Sequence, residues 1–209
     1  MCGALSATAG PREDAELLAA AEAGSVPAIA RALENGAAID AVDDRGNTPV
    51  MRATLAGRVD AVKRLVADGA DVNRRNAMSD NPFLYAGAEG LLDILRVVAP
   101  KADPTLLNRY GGTPLIPASE HGHVEVVRYL LERTRVNVNH VNNLGWTALM
   151  ECIVLSDGGP RQQQVLQLLL QHGADPGIPD RDGVSALRHA EQRGQTAMAK
   201  LLRAAGAKP

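Results

Sequence analysis

Five segments of this chain align on a turn followed by a helix start: GNTPVMRATLAG from Gly46, SDNPFLYAGAEG from Ser79, GGTPLIPASEHG from Gly111, GWTALMECIVLS from Gly145 and GVSALRHAEQRG from Gly183. In each, a small or turn-forming residue stands two before Thr48, Asn81, Thr113, Thr147 or Ser185. These five residues can all cap a helix, because their side-chain oxygens accept from its free backbone N–H groups. Pro49, Pro82 and Pro114 follow at the first helical position, where a missing N–H costs nothing. The caps lie 33, 32, 34 and 38 residues apart. A period of that length selects stacked units, each burying its apolar face against its neighbours.

The rest of each unit agrees. AVKRLVADGADVN, VVRYLLERTRVNV and VLQLLLQHGADPG carry apolar residues at i, i+3, i+4 spacing, and two of the three end at a glycine. From Ala38, Asp71, Asp103, Asn137 and Asp175 to the next cap is 10 residues every time, so the turn has constant length. All length variation falls in the helical part, and the fifth unit carries an insert, SDGGPRQQ, between its two helices at about 156–163. Gly158 and Gly159 there are loop punctuation or an anion-cradling nest. The insert is expected to stand outside the stacked core.

The period and the T-P-L core resemble the ankyrin repeat, a β-turn plus two antiparallel helices of about 33 residues. The chain looks most like small free-standing bacterial members of that family. The resemblance implies an all-α fold, an α-solenoid of about six helix-turn-helix units joined by β-hairpin turns, with capping repeats at both ends. The units run 11–43, 44–76, 77–108, 109–142, 143–180 and 181–209, one domain preceded by a flexible tail at 1–10. One departure is the family's T-P-L-H histidine, replaced by Met51, Leu84, Ile116, Met150 and Arg188. Stacking should then rest more on apolar packing than on a polar ladder. Pro117 should also cost its helix an early backbone bond.

Composition limits the partner. Lys plus Arg is 22 and Asp plus Glu is 24, a net charge of -2, without the clustered basic footprint that nucleic acid or an anionic membrane requires. The locally basic stretch from Arg181 is expected to be a solvated capping surface. Cys2 and Cys152 are too far apart in sequence for a CxxC metal pair, and Cys152 lies in an apolar helical run as a small core residue. No stretch of about 18 apolar residues occurs, and no secretory signal opens the chain. Cytoplasmic residence is the expectation. A periplasmic or lipid-anchored protein is the alternative if the start was trimmed at an acylated Cys2.

Catalytic and metal signals are weak. His121 and His123 stand two apart in EHGH with no third ligand at metal-site spacing, and His140 and His172 belong to other surfaces. Ser119, Glu120 and His121 are helix neighbours, which do not face one another. There is no G-x-S-x-G elbow and no phosphate-binding glycine loop. The expectation is no enzyme, no cofactor and no metal.

A surface remains. The resemblance implies that a partner meets the hairpin tips and the ends of the first helices on one concave face. In that register the middle units present Met78, Arg109, Tyr110, Asn143, Leu144 and Trp146, with Tyr85, Glu120, His121 and Glu151 from the helices. Tyr, Trp and Arg dominate binding hot spots because they combine large contact area with a polar handle. Trp146 either meets a partner or packs on Tyr110 or Tyr85. Glu151 orients the indole, receives a partner's cation, or is simply solvated. The leading reading is a monomeric, non-catalytic scaffold that binds another protein, neither nucleic acid nor membrane. The alternative is a small-molecule or peptide binder with a pocket around Trp146 and Tyr110.

Overall fold

The structure is a computed structural model, and it describes residues 10–208. Cys2 and nearly all of the expected 1–10 tail lie outside the described residues. Within them the chain forms twelve α-helices in six consecutive pairs and no strand. The pairs are α1 (Pro11–Ala23) with α2 (Val26–Glu34), α3 (Pro49–Leu55) with α4 (Val59–Ala67), and α5 (Pro82–Ala88) with α6 (Leu92–Val98). Then come α7 (Leu115–Glu120) with α8 (Val124–Arg133), α9 (Ala148–Val154) with α10 (Pro160–Gln171), and α11 (Ala186–Gln192) with α12 (Thr196–Ala204). We number these pairs repeats 1 to 6, each from repeat 2 on being preceded by its hairpin. The fold is a solenoid class of helix-turn-helix repeats.

Two compact units are distinguished. The first comprises the chain up to Phe83 together with Arg96–Ala102, and the second Leu84–Leu95 together with everything from Asp103. In the first unit α1 packs on α2 and α3, and α4 on α2 and α3, around Leu17, Ala21, Ile29, Val50, Met51, Val62 and Leu65. In the second, α7 packs on α9, α9 on α11, and α10 on α8 and α12, around Leu115, Leu130, Leu149, Ile153, Leu169 and Leu202.

Apolar stacking stands where the histidine ladder was missing. Met51, Leu84, Ile116 and Met150 are all buried, and only Arg188 of the last repeat is exposed. Cys152 is a fully buried core residue whose thiol burial pushes up to about 12.

Helix capping follows the sequence in three repeats and fails in one. Thr48, Thr147 and Ser185 accept from the N–H groups of Met51, Met150 and Arg188 at 3.1–3.2 Å. Their own carbonyls take the next N–H, from Arg52, Glu151 and His189. In repeat 4 that next residue is Pro117, which has no N–H to give. The Ile116 N–H turns to the Thr113 carbonyl instead, at 3.2 Å, and the Thr113 hydroxyl is left buried with no partner. Helix α7 starts at Leu115 and is six residues long.

The fifth-repeat insert is tied into the fold, contrary to the expectation that it stands clear. Ser156–Gly159 connect the helices, while Pro160 opens α10, which reaches twelve residues against nine in α4. The Gln195 amide of repeat 6 donates to the carbonyls of Ile153 and Ser156 at 3.0 and 2.9 Å, beneath the connection.

Candidate protein-binding site

Each hairpin is built on its first residue, Asp43, Asn76, Asn108, Asn142 or Asp180. Its side-chain Oδ1 accepts from the backbone N–H groups two and four residues on, as in Asn142 to Leu144 and Trp146 at 2.9 and 3.0 Å. Such an Asx turn spends the side chain on holding the loop. The residue two on is thereby set at the tip. The tips read Arg45, Met78, Tyr110, Leu144 and Asp182, and the central three are 52%, 53% and 50% exposed. Large apolar side chains thus occupy the tips of repeats 3, 4 and 5, and charges those of repeats 2 and 6.

The next-to-last position of each tip turn has a positive φ. Gly46, Gly111, Gly145 and Gly183 supply it, with no Cβ to clash. Repeat 3 uses Ser79 at φ 62° instead.

In the second unit the tips are bound to one another. The Asn143 N–H donates to the Tyr110 carbonyl at 2.9 Å, and His140 Nε2 lies 2.7 Å from the Gly111 carbonyl, which can only accept. Arg181 reaches the Asn143 carbonyl from the following hairpin. The Arg109 guanidinium lies over the Tyr110 ring at 4.6 Å, a cation–π contact. Trp146 is half-buried.

Nine residues after each hairpin's first residue comes a first-helix position, held by Arg52, Tyr85, Pro117, Glu151 and His189. In repeat 2, Asp43 accepts from Arg52 at 2.9 Å, and Arg52 also pairs with Glu22 of repeat 1. Burial raises the Asp43 pKa, but hydrogen bonds from Asn47, Arg52 and Arg45 prevail and hold it at about 2. In repeat 6, His189 lies 2.7 Å from Asp180, which that bond keeps below the usual carboxylate range. Repeat 5 differs. Asn142 donates its Nδ2–H to Glu151 at 2.7 Å, and Glu151 is only 5% exposed. Burial first, and the Glu120 carboxylate second, push its pKa up to about 7, against the Asn142 bond and the His121 imidazole.

The other sequence candidates divide between the two units. Glu120 is half-buried and His121 exposed, its Nδ1–H donating to the Ala88 carbonyl at 3.1 Å. The His121 and His123 rings meet edge-on at 5.5 Å, and burial with the His121 charge lowers the His123 pKa. Among the described residues no three His, Cys, Asp or Glu side chains could hold a metal. Tyr85, Arg109, Asn143, Leu144 and Trp146 belong with these in the second unit, whereas Met78 lies in the first. Glu151 is not a solvated carboxylate. Asn142 and His140 were not candidates. The nine-residue pairing of Asp43 with Arg52 and Asp180 with His189 was the available signal for the former.

These features can be set beside known proteins. Residues 83–180 match the profile for ankyrin repeats (3 copies), and residues 17–66 and 160–203 that for ankyrin repeats (many copies). The chain is 41% identical over 194 residues to the ankyrin repeat protein YahD of Escherichia coli (strain K12), covering 92% of this chain and 96% of YahD. The crystal structure of an ankyrin repeat domain from Acinetobacter baumannii AYE is 49% identical, with a TM-score of 0.89 over 92% of this chain and 98% of that one. The ankyrin repeat domain of Bcl-3, a member of the IkappaB protein family, is 26% identical with a TM-score of 0.82 over 92% and 86%. Repeats of this kind are generally non-enzymatic modules of protein–protein interaction. The chain belongs to the ankyrin-repeat family.

Proposed function

We propose that the chain is a non-catalytic scaffold that binds a partner protein through the hairpin tips and first-helix ends of repeats 4 and 5. The observation that carries this reading is the pair of joined tips bearing Tyr110 and Leu144, each half exposed, beside Arg109 and the half-buried Trp146. Exposed aromatic and aliphatic groups on a backbone held by Asx turns and cross-hairpin bonds are pre-organised, so little ordering entropy opposes association. Asn143, Tyr85, Glu120, His121 and Glu151 belong to the same unit as those tips, and Met78 repeats the tip chemistry in repeat 3.

The candidate nucleophiles have other employment. Ser119 is buried and donates to the Leu115 carbonyl at 2.7 Å, and Cys152 is a buried thiol. No helix of the described residues is long and apolar enough to cross a membrane.

A photo-crosslinking residue at Leu144 should capture a protein from the source cell, and the same group at the exposed Glu132 of α8 should not. Equal capture at both positions, or loss of nothing on Tyr110→Ala with Trp146→Ala in a folded variant, would refute the assignment of this face.

A further inference from the structure

The charge of repeat 6 runs against that of the chain. From Arg181 onward six Lys and Arg stand against two acids, in a protein of net charge -2. Of the two acids, Glu191 is held by Arg203 at 2.6 Å, and Asp182 stands on the last tip, beyond Arg181. Arg181, Arg188 and Arg193 take part in no ion pair among the described residues.

Arg181 belongs to the row of joined tips. Its stem lies across the tip of repeat 5, where a Cβ built on Gly145 would meet its Cγ at 2.5 Å and its Cδ and Nε at 3.3 Å. Its guanidinium donates to the Asn143 carbonyl, its one side-chain bond among the described residues. Leu144, half exposed, stands in the chain between Asn143 and Gly145, so this guanidinium borders it. On the other side the Asn143 N–H holds the Tyr110 carbonyl, and Arg109 lies over the Tyr110 ring. The tips of repeats 4 to 6 thus carry an exposed apolar pair with a guanidinium at each end. The carboxylates of the hairpin and helix nearby face inward: Asp180 meets His189 at 2.7 Å, and Glu151 is buried against Asn142.

We propose that the segment this face takes from its partner protein is acidic and apolar together. An Asp or Glu side chain would meet Arg181, beside an aliphatic or aromatic side chain laid on Leu144 and Tyr110. This rests on the protein-binding reading of the same face and extends that face to the hairpin of repeat 6. A guanidinium matches a carboxylate because its planar fork offers two parallel N–H groups, and Arg181 spends one donor atom on Asn143. Its stem is already laid on Gly145, so less side-chain entropy is lost when the carboxylate arrives. The unpaired cations of repeat 6 add a field that steers an acidic segment toward this end and repels a basic one.

The test selects a randomised octapeptide library, displayed on phage, against the full chain and against its Arg181→Gln variant. Peptides from the parent should be enriched in Asp and Glu next to Leu, Ile or Phe, and that acidic enrichment should be lost with Arg181→Gln. A blocked synthetic copy of the best peptide should bind the variant about tenfold more weakly, the scale of one charge-assisted hydrogen bond, and the gap should shrink as salt rises. Quenching or shift of the fluorescence of Trp146, the chain's single tryptophan, reads the affinity when the peptide carries none. An empty selection, peptides without acidic enrichment, or the same acidic peptides from a folded Arg181→Gln variant would overturn the proposal. So would undiminished binding of the synthetic peptide to a folded Tyr110→Ala with Trp146→Ala variant, since the acid would then be read elsewhere. A protein crosslinked at Leu144 and lost by that double variant, yet retained at full strength by Arg181→Gln with Arg109→Gln, would overturn the acidic segment and leave the face standing.

Discussion

Repeat 2 and repeat 5 fill one structural position in opposite ways. In repeat 2 the hairpin residue is Asp43 and its helix partner is Arg52, so the charges cancel inside the protein. In repeat 5 the hairpin residue is Asn142 and the helix partner is Glu151, so a carboxylate is buried against an amide. Both arrangements hold the same Asx turn, because either Asp or Asn offers Oδ1 to the loop N–H groups. The turn itself therefore does not require the difference. Asn avoids a second carboxylate facing Glu151, and Asp meets a cation. Hairpin identity and helix identity are matched within each repeat.

The comparison breaks first at Arg52. Arg52→Met should strand Asp43 and Glu22 and cost about 2–3 kcal/mol, since removing one partner of a shielded pair leaves the other uncompensated. Chemical denaturation of the first unit at pH 7 checks this. The Asp43 contribution should already fade in the parent protein as pH falls from about 4 to about 2, because its folded pKa lies below its ordinary value.

Glu151→Gln should act in the other direction. Its folded pKa is raised, so the folded state binds the extra proton and stability falls as pH rises from 4.5 through about 7. Removing the charge should then stabilise the second unit by about 1–3 kcal/mol at pH 8, with the gap closing below pH 4.5. Melting profiles against pH read both effects, and a variant less stable than its parent at pH 8 would contradict the uncompensated charge.

Capping offers a smaller contrast. Thr147→Ala and Thr48→Ala should each cost about 1 kcal/mol, while Thr113→Ala should cost less than about 0.5 kcal/mol because its hydroxyl caps nothing. Equal losses at all three sites would mean that Thr113 does cap α7. A small effect of opposite sign is expected at the tip of repeat 3, where Ser79→Gly should gain about 0.5 kcal/mol by relieving a left-handed backbone. Gly145→Ser in repeat 5 should lose more than that, because its Cβ would also meet the Arg181 Cγ at 2.5 Å.

The fold was legible because it rests on period. Cap residues, prolines at the first helical position and i, i+3, i+4 apolar spacing are local signals, and the six helix pairs follow from them. Thr113 shows where local reading ends: the cap residue is correct, but the missing N–H of Pro117 redirects the bond that would have engaged it. The insert was legible in length and not in use, since half of it extends α10 and the rest lies over Gln195 from the next repeat. At the candidate site the exposed tips, Tyr110 and Leu144, followed from register alone. The burial of Glu151 did not. It depends on α7 of the preceding repeat packing on α9, an arrangement of segments some thirty residues apart.

The most direct measurement is the titration of the Glu151 carboxyl in the intact protein by ¹³C NMR, assigned by loss of its signal in Glu151→Gln. A midpoint near 7, falling in Glu120→Gln, is expected of a buried carboxylate with a second carboxylate acting on it. A midpoint near the ordinary 4.5 would mean that the protein already compensates this charge, and the contrast between repeats 2 and 5 would fall.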